Sequence, residues 1–262
     1  MFKYSFIREE VGAPNFHSFI QGLLKSHKKA GMYFSAGRDS VALLHTLRPY
    51  LDRITLLWMN AGDSFPEIEE YAAKVKEQVP HFVEIRGYIK TDIKERGYPV
   101  DVLPVDYSVL GSACTTEKPI KLRAYLDCCA ENISVPLYNY VKQNGFDLIF
   151  RGNRASEGHK TPGSTCTVYE NTRFINLIED WSDEDVVNYL REMGEEMHER
   201  FLISHSSLDC MSCTAFTGDS LDRIEYVKKY HPALMQELKP IFQEIDKAIR
   251  KESEGLKTIL SM

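Results

Sequence analysis

The 262-residue sequence contains no run of about 18 apolar residues, and it therefore predicts no membrane-spanning helix. Its first residues, MFKYSFIREEVG, lack the apolar core of a secretory signal peptide. Internal repeats and low-complexity segments are missing as well. A formal net charge of −6 argues against a general nucleic-acid binder, although a local basic groove stays open. We expect a cytoplasmic protein, in which structural disulfides are rare and the six cysteines are available for metal, cluster or catalytic use.

From residue 30 the chain alternates between strand-like and helix-like patterns. Apolar runs typical of buried strands lie at residues 30–35, 53–62, 81–87 and 146–153. Helical patterns lie at residues 41–51, 67–79, 135–145, 182–194 and 219–255. Ser182 and Asp185 predict a capping box for the helix that begins there. We expect an α/β fold with an open, mostly parallel, doubly wound sheet and a helical C-terminal lobe, with ligands at the carboxyl ends of the strands.

The loop FSAGRDS, residues 34–40, connects the first predicted strand to a helix. Gly37 permits close backbone approach to a ligand, and the helix start with its two flanking serines forms an anion site. Arg38 adds charge-assisted donors. Asp39 would repel a bare phosphate, but it suits a phosphate that carries Mg²⁺. The alternative is a plain strand–helix turn in which Asp39 or Ser40 caps the helix. The predicted binding residues are Ser35, Ala36, Gly37, Arg38, Asp39 and Ser40.

This loop resembles the PP-loop of the ATP pyrophosphatase superfamily, usually Ser-Gly-Gly-x-Asp-Ser, with Ala36 at the second position. Three later segments resemble the phosphoadenosine phosphosulfate (PAPS) reductase family: WMNAGDSFPE (58–67), IFRGNRASEGHK (149–160) and INLIEDWSDEDVVNYL (175–190). The resemblance implies a PP-loop, Rossmann-like domain that binds Mg²⁺ with ATP, adenylyl sulfate (APS) or PAPS. It adds three residues at a strand end to the nucleotide site: Asn60, Gly62 and Asp63.

Cations after another predicted strand suit phosphate or sulfate oxygens, although a solvated basic loop would look similar. The predicted catalytic residues are Asp39, Arg151, Arg154 and Lys160.

The cysteines include an adjacent pair, Cys128 and Cys129, and a distant Cys-x-x-Cys pair, Cys210 and Cys213. Alone, the second pair could be a redox dithiol, half of a zinc site, part of a cluster, or two unrelated thiols. Four thiolates suit zinc or an iron–sulfur cluster, but adjacent cysteines are unusual in zinc ribbons. The pattern resembles the [4Fe-4S] signature of APS reductases, which implies that these four cysteines hold such a cluster. Cys166 is a weaker alternative as a reactive thiol.

The resemblance to reductases is incomplete. Those enzymes carry a catalytic cysteine near the C-terminus in Glu-Cys-Gly-Ile/Leu-His, whereas no cysteine follows Cys213 here. Assimilatory reductases also tend to lose the Asp-Ser of the loop, which this chain keeps as Asp39 and Ser40. We therefore expect an ATP pyrophosphatase that adenylylates a substrate for sulfur transfer, as in nucleic-acid thiolation or DNA phosphorothioation.

That function implies a nucleic-acid acceptor and a cysteine desulfurase or thioredoxin-like donor. Two alternatives stay open: a thioredoxin-dependent APS or PAPS reductase that makes sulfite, and a non-catalytic nucleotide- and cluster-binding module. A homo-oligomer is also compatible with the sequence. We expect a helical lead-in at residues 1–29, the nucleotide-binding domain at 30–205, and a lobe at 206–262 that completes the cluster site.

Overall fold

The computed structural model describes residues 16–114, 120–155, 166–203, 210–215 and 221–262. The strands are β1 (Ala30–Phe34), β2 (Ile54–Asn60), β3 (Phe82–Arg86), β4 (Tyr98–Val100), β5 (Leu122–Ala124), β6 (Leu148–Arg151), β7 (Cys166–Tyr169) and β8 (Thr172–Asn176). The α-helices are α1 (Phe16–Ser26), α2 (Arg38–Leu47), α3 (Pro66–Gln78), α4 (Ile89–Arg96), α5 (Val109–Cys114), α6 (Tyr125–Cys129), α7 (Val135–Gln143), α8 (Asp183–Glu192), α9 (Glu199–Ile203), α10 (Asp222–Tyr230) and α11 (Pro232–Leu260). A π-helical turn at Ala130–Ser134 joins α6 to α7.

The chain divides into two compact units. The first unit comprises Met1–Met59, Pro66–Ile85 and Leu137–Phe201, and the second comprises Asn60–Phe65, Arg86–Pro136 and Leu202–Met262. The segment boundaries that the sequence predicts near residues 30 and 206 stay predictions.

The first unit is built on a six-stranded sheet with the order β3-β2-β1-β6-β8-β7. β1 pairs in parallel with β2 and β6, and β6 pairs in parallel with β8. β1 is crowded by both neighbouring strands at Gly31, where a Cβ would lie 2.9 Å from the side chain of Ile149. Only a small residue fits at this position. The predicted open, mostly parallel α/β sheet is therefore confirmed.

The sheet ends in a hairpin that the sequence patterns do not predict. β7 runs antiparallel to β8, with Cys166 opposite Ile175 and Tyr169 opposite Thr172. β7 forms the edge of the sheet, and its residues Val168 and Tyr169 are exposed. An edge strand that buries little apolar surface leaves only a weak alternating pattern in the sequence.

The second unit combines a short parallel pair, β4 and β5, with the C-terminal helices α10 and α11. One of its apolar clusters joins Val100, Tyr107, Leu122, Ile245 and Ala248, so α11 packs on the strand pair. The predicted helical C-terminal lobe is thus present, and α11 runs five residues beyond its predicted end at 255. Among the described helices, none has both the length and the apolar character needed to cross a membrane.

The predicted capping box begins α8. The Ser182 hydroxyl accepts the Asp185 N–H at 3.2 Å, and the Asp185 carboxylate accepts the Ser182 N–H at 2.8 Å. Two N–H groups that the helix leaves without partners are satisfied in this way.

Replacing the capping hydroxyl should destabilise the first unit. For Ser182→Ala we expect the free energy of unfolding to fall by about 1 kcal/mol, because the amide at the helix start loses its acceptor. Urea unfolding would measure this change. Ser182→Thr keeps the oxygen and serves as the matched control, and an equal loss in both variants would contradict the capping role.

Candidate functional site

The predicted PP-loop connects the end of β1 to the start of α2. The Ser40 hydroxyl accepts the Ser35 N–H at 3.2 Å and donates to the Gly37 carbonyl at 2.9 Å, which folds the loop back on itself. Gly37 is the N-cap of α2, and no side chain of the described residues caps that helix. The first N–H groups of α2 are therefore available to an anion, and the helix dipole favours one there.

Ala36 adopts a conformation that alanine normally avoids. Its φ angle is +59°, in the left-handed region, and its side chain is fully buried. For a non-glycine residue this region costs about 1–2 kcal/mol. The usual PP-loop has glycine at this position, so the loop keeps its backbone shape although its sequence departs from the pattern.

Two buried arginines hold the carboxylate of Asp39. Its Oδ1 atom lies 3.1 Å from Nε of Arg154 and 3.8 Å from Nε of Arg38. Both guanidinium groups also form ion pairs with Asp183. Burial raises the pKa of Asp39, and the positive charges of Arg154 and Arg38 oppose that rise. The Asp39 carboxylate could offer an oxygen to a cation, since its buried Oδ1 accepts no hydrogen bond in the described part of the chain.

Arg151, the last residue of β6, is a buried cation with an unused hydrogen-bond donor among the described contacts. Its Nε donates to Oδ1 of Asn176 at 2.9 Å, and its guanidinium lies 5.1 Å from the ring centroid of Phe174. Its buried Nη2 has no hydrogen-bond partner in the described part of the chain. Burial lowers the pKa of Arg151. An oxyanion at this strand end would supply the missing acceptor.

The loop after β6 approaches the PP-loop. A Cβ on Gly152 would lie 3.2 Å from the carbonyl oxygen of Asp39, so the two backbones nearly touch. The structure thus brings two of the predicted catalytic residues together, Asp39 and Arg154, and Arg151 directly precedes the glycine whose backbone approaches Asp39. Lys160, the fourth, lies outside the described residues.

The predicted strand-end residues Asn60, Gly62 and Asp63 belong to the second unit. The Asn60 side-chain oxygen accepts the Gly62 N–H at 2.9 Å and the Ser64 hydroxyl at 3.3 Å. Gly62 has φ +88°, and a Cβ there would lie 2.5 Å from the Gly87 carbonyl oxygen. Only glycine fits this turn without strain.

Asp63, which is only 2 % exposed, makes contacts that its sequence motif did not indicate. Its carboxylate accepts the Ser212 N–H at 2.7 Å and lies 3.0 Å from Nζ of Lys90. Its carbonyl accepts the Met211 N–H at 2.8 Å. The carboxylate thus holds the Cys-x-x-Cys turn, residues 210–213. Its predicted part in nucleotide binding stays a prediction.

Three of the four predicted cluster ligands share one apolar cluster of the second unit. Cys128 and Cys210 are buried there beside Ala61, Ile89 and Ile93, and Cys213 packs against them. Cys129 follows Cys128 on α6 and is half-buried. Burial raises the pKa of the Cys128 thiol to about 11, and the charge of Arg123 opposes the rise. In residues that the structure describes, no three Cys, His, Asp or Glu side chains form a group that could hold a metal ion.

An ion-pair network around the buried Arg123 flanks Cys128, and no sequence motif predicted it. Arg123 pairs with Asp92 and Glu131. The Asn132 amide donates to the Asp92 carboxylate at 2.6 Å and lies 3.9 Å from Sγ of Cys128. The signal in the sequence was three polar residues close to the tandem cysteines, Arg123, Glu131 and Asn132, which is weak because such residues are usually solvated.

The chain matches known proteins by family and by fold. A family model described as "Phosphoadenosine phosphosulfate reductase domain" matches residues 29–216, more than half of the chain. No curated protein sequence gives a significant match. The crystal structure of a phosphoadenylyl-sulfate reductase from Candida auris, in a phosphate complex, is similar with a TM-score of 0.53 and 12% identity. The similarity covers 78% of this chain and 92% of that one. At this identity it shows a shared fold.

A second solved structure resembles the chain over a greater length but less closely. The NH3-dependent NAD synthetase from Campylobacter jejuni aligns with a TM-score of 0.47 and 16% identity, covering 95% of this chain and 96% of that one.

The tight turn at Gly62 can be tested against a matched glycine. Gly145 also has a positive φ, +69°, but a Cβ there would meet nothing within 4 Å. Gly145→Ala should therefore cost only the backbone strain, about 1–2 kcal/mol. Gly62→Ala should cost at least about 3 kcal/mol, because the methyl group also overlaps the Gly87 carbonyl. Chemical denaturation of both variants gives the comparison, and equal losses would rule out the clash.

Proposed function

Because the chain belongs to the phosphoadenosine phosphosulfate reductase domain family, we propose that it binds ATP at residues 35–40 and adenylylates a substrate for sulfur transfer. Pyrophosphate is the leaving group of that reaction. The retained Asp39 and Ser40 favour ATP over APS or PAPS, since the sequence keeps the complete Asp-Ser ending of the pyrophosphatase loop.

The observation that carries the proposal is the start of α2, where described side chains leave the N–H groups open, together with three buried arginines of the first unit. Arg38, Arg151 and Arg154 are each less than a tenth exposed. Arg38 and Arg154 form ion pairs with Asp39 and Asp183, whereas Arg151 has the negative charge of Glu179 nearby and an Nη2 without a hydrogen-bond partner in the described residues. A triphosphate would satisfy the remaining donor of Arg151 and the open N–H groups of the helix.

The reaction that we propose is the transfer of an adenylyl group from ATP to the substrate. An oxygen nucleophile of the substrate attacks the α-phosphorus of ATP and forms a new P–O bond. The bond from the α-phosphorus to the bridging oxygen breaks, and pyrophosphate leaves with the electron pair. Arg151 and Arg154, together with Lys160, would stabilise the negative charge that grows during this step. Mg²⁺, when bound, would offset the charge of the phosphates, and the Asp39 carboxylate is its candidate protein ligand.

We propose that Cys128, Cys129, Cys210 and Cys213 hold a [4Fe-4S] cluster. The support is the shared apolar cluster of Cys128, Cys210 and Cys213, whose thiolates are the ligands that iron–sulfur clusters use. A cluster of four irons holds its ligands farther apart than a single ion does, so the lack of a single-ion site among the described residues is compatible with it. When bound, the cluster would supply one-electron chemistry.

The acceptor and the donor rest on the sequence resemblance. We propose a nucleic acid as the acceptor, with sulfur supplied by a cysteine desulfurase or electrons by a thioredoxin-like protein. A homo-oligomer stays compatible with this function.

Removing the Asp39 carboxylate should impair pyrophosphate release from ATP. Oriented charged groups at a reacting centre are worth about 10²–10³ in rate, so we expect a loss of that order for Asp39→Ala. Asp246→Ala is the control, because Asp246 is exposed and pairs with Arg250 on the surface of α11. Pyrophosphate and sulfite would be assayed in parallel with ATP, APS and PAPS. Undiminished pyrophosphate release in Asp39→Ala would contradict the proposal, and sulfite from APS or PAPS would replace it with a reductase.

Anaerobic purification should yield a protein that carries iron and sulfide. We expect about four of each per chain, the content of one [4Fe-4S] cluster. Cys213→Ser should lose most of the iron. Cys114→Ser should keep it, because Cys114 is exposed and lies outside the proposed ligand set. Stoichiometric zinc in place of iron would contradict the cluster.

A further inference from the structure

Arg223 is almost completely buried, with 2 % of its surface exposed, and its guanidinium points at the Cys-x-x-Cys turn. Nη1 donates to the carbonyl of Cys213 at 2.8 Å. Nη2 donates to the carbonyls of Cys210 at 2.8 Å and Met211 at 3.2 Å. One planar side chain therefore binds three carbonyl groups of a four-residue turn.

Asp63 holds the same turn by its N–H groups. The Ser212 N–H donates to the carboxylate and the Met211 N–H to the carbonyl of Asp63. The Cys213 N–H closes the turn on the Cys210 carbonyl at 3.4 Å. An acceptor residue and a donor residue thus satisfy the two kinds of main-chain group in the turn, and both residues are buried.

We propose that Asp63 and Arg223 are positioning residues that fix the Cys-x-x-Cys turn in its ligand-holding form before any metal binds. The inference rests on the proposed function only for the identity of the ligand. In many small metal sites the metal orders the ligand loop, and binding and folding are one event. Here the protein itself supplies the hydrogen bonds that define the turn. Cys210 and Cys213 therefore become ordered when the chain folds, without a metal.

The hydrogen-bond geometry of Arg223 distinguishes a positioning role from simple packing. A residue that only fills space could be replaced by an apolar side chain of similar length without exposing the turn. Arg223 instead makes directed, charge-assisted hydrogen bonds to three carbonyls, which an apolar side chain cannot make. A lysine keeps the charge but lacks the planar fork, so it should restore the function of Arg223 only in part.

Thiol accessibility in the metal-free protein tests the inference directly. After iron is removed by chelation, alkylation by iodoacetamide would be followed at each cysteine by peptide mass spectrometry. In Arg223→Met we expect Cys210 and Cys213 to react about tenfold faster than in the wild type, because the lost hydrogen bonds to a charged group no longer hold the turn closed. Arg223→Lys should lie between the two. Arg250→Met is the matched control, since Arg250 is 73% exposed and lies on α11.

Two variants of Asp63, Asp63→Asn and Asp63→Ala, give an independent test if Arg223→Met does not fold. Asp63→Asn retains an oxygen that can accept the Ser212 N–H, whereas Asp63→Ala removes it. We expect faster hydrogen exchange at Ser212 and faster alkylation of Cys210 and Cys213 in Asp63→Ala, with smaller changes in Asp63→Asn. Unchanged rates in Asp63→Ala would overturn the inference. So would a rise that extends equally to Cys128, because it would indicate loosening of the whole unit.

Iron analysis of the anaerobically purified variants distinguishes this inference from the proposed function. If the wild type holds iron and Arg223→Met holds less of it, both the positioning role and the proposed cluster are supported. Iron-loaded wild type, with iron content and alkylation rates unchanged in Arg223→Met and Asp63→Ala, overturns the positioning role alone. A wild type that holds no iron, but whose variants still show the faster alkylation, supports the positioning role and contradicts the cluster.

Discussion

Burial of arginine is the constraint on which both candidate sites depend. A guanidinium taken out of water must find charged or polar partners, because an uncompensated buried charge costs several kcal/mol. Arg154 meets this need with Asp39 and Asp183, Arg123 with Asp92 and Glu131, and Arg223 with main-chain carbonyls. Each arginine thereby fixes the segment that supplies its partner. Such pairing holds Asp39 in the predicted PP-loop and the main chain of the cysteine turn.

At the predicted PP-loop, the pairing also determines what an incoming phosphate would meet. Asp39 and Asp183 already form ion pairs with Arg38 and Arg154. In the proposed function, a bound triphosphate would compete with these carboxylates for the same guanidinium groups. Arg151 differs, because its guanidinium donates to an amide oxygen and lies over an aromatic ring, and its Nη2 has no hydrogen-bond partner in the described residues. A phosphate or sulfate oxygen could accept a hydrogen bond from that Nη2.

The sequence alone predicted the local features of the fold, but few of the contacts between distant segments. The strands β1, β2, β3 and β6, the helices α2, α3, α7 and α8 and the capping box at Ser182 each leave a pattern within a short window, and the structure contains them. The β7–β8 hairpin leaves a weak pattern because its edge strand is exposed. Contacts between distant segments leave none: Asp63 reads as part of a strand-end loop, and its bond to Ser212 joins residues 149 positions apart. Arg223 lies in no motif, so only tertiary structure reveals its partners.

Arg223 also imposes an order on biosynthesis. It follows Cys213 by ten residues and sits in the first turn of α10. A ribosome therefore releases the two cysteines before it releases the side chain that closes their turn. At that moment the two thiols lie on a segment without its final shape. If the chain holds the proposed cluster, iron delivered after α10 has docked would meet a turn that already has its final shape.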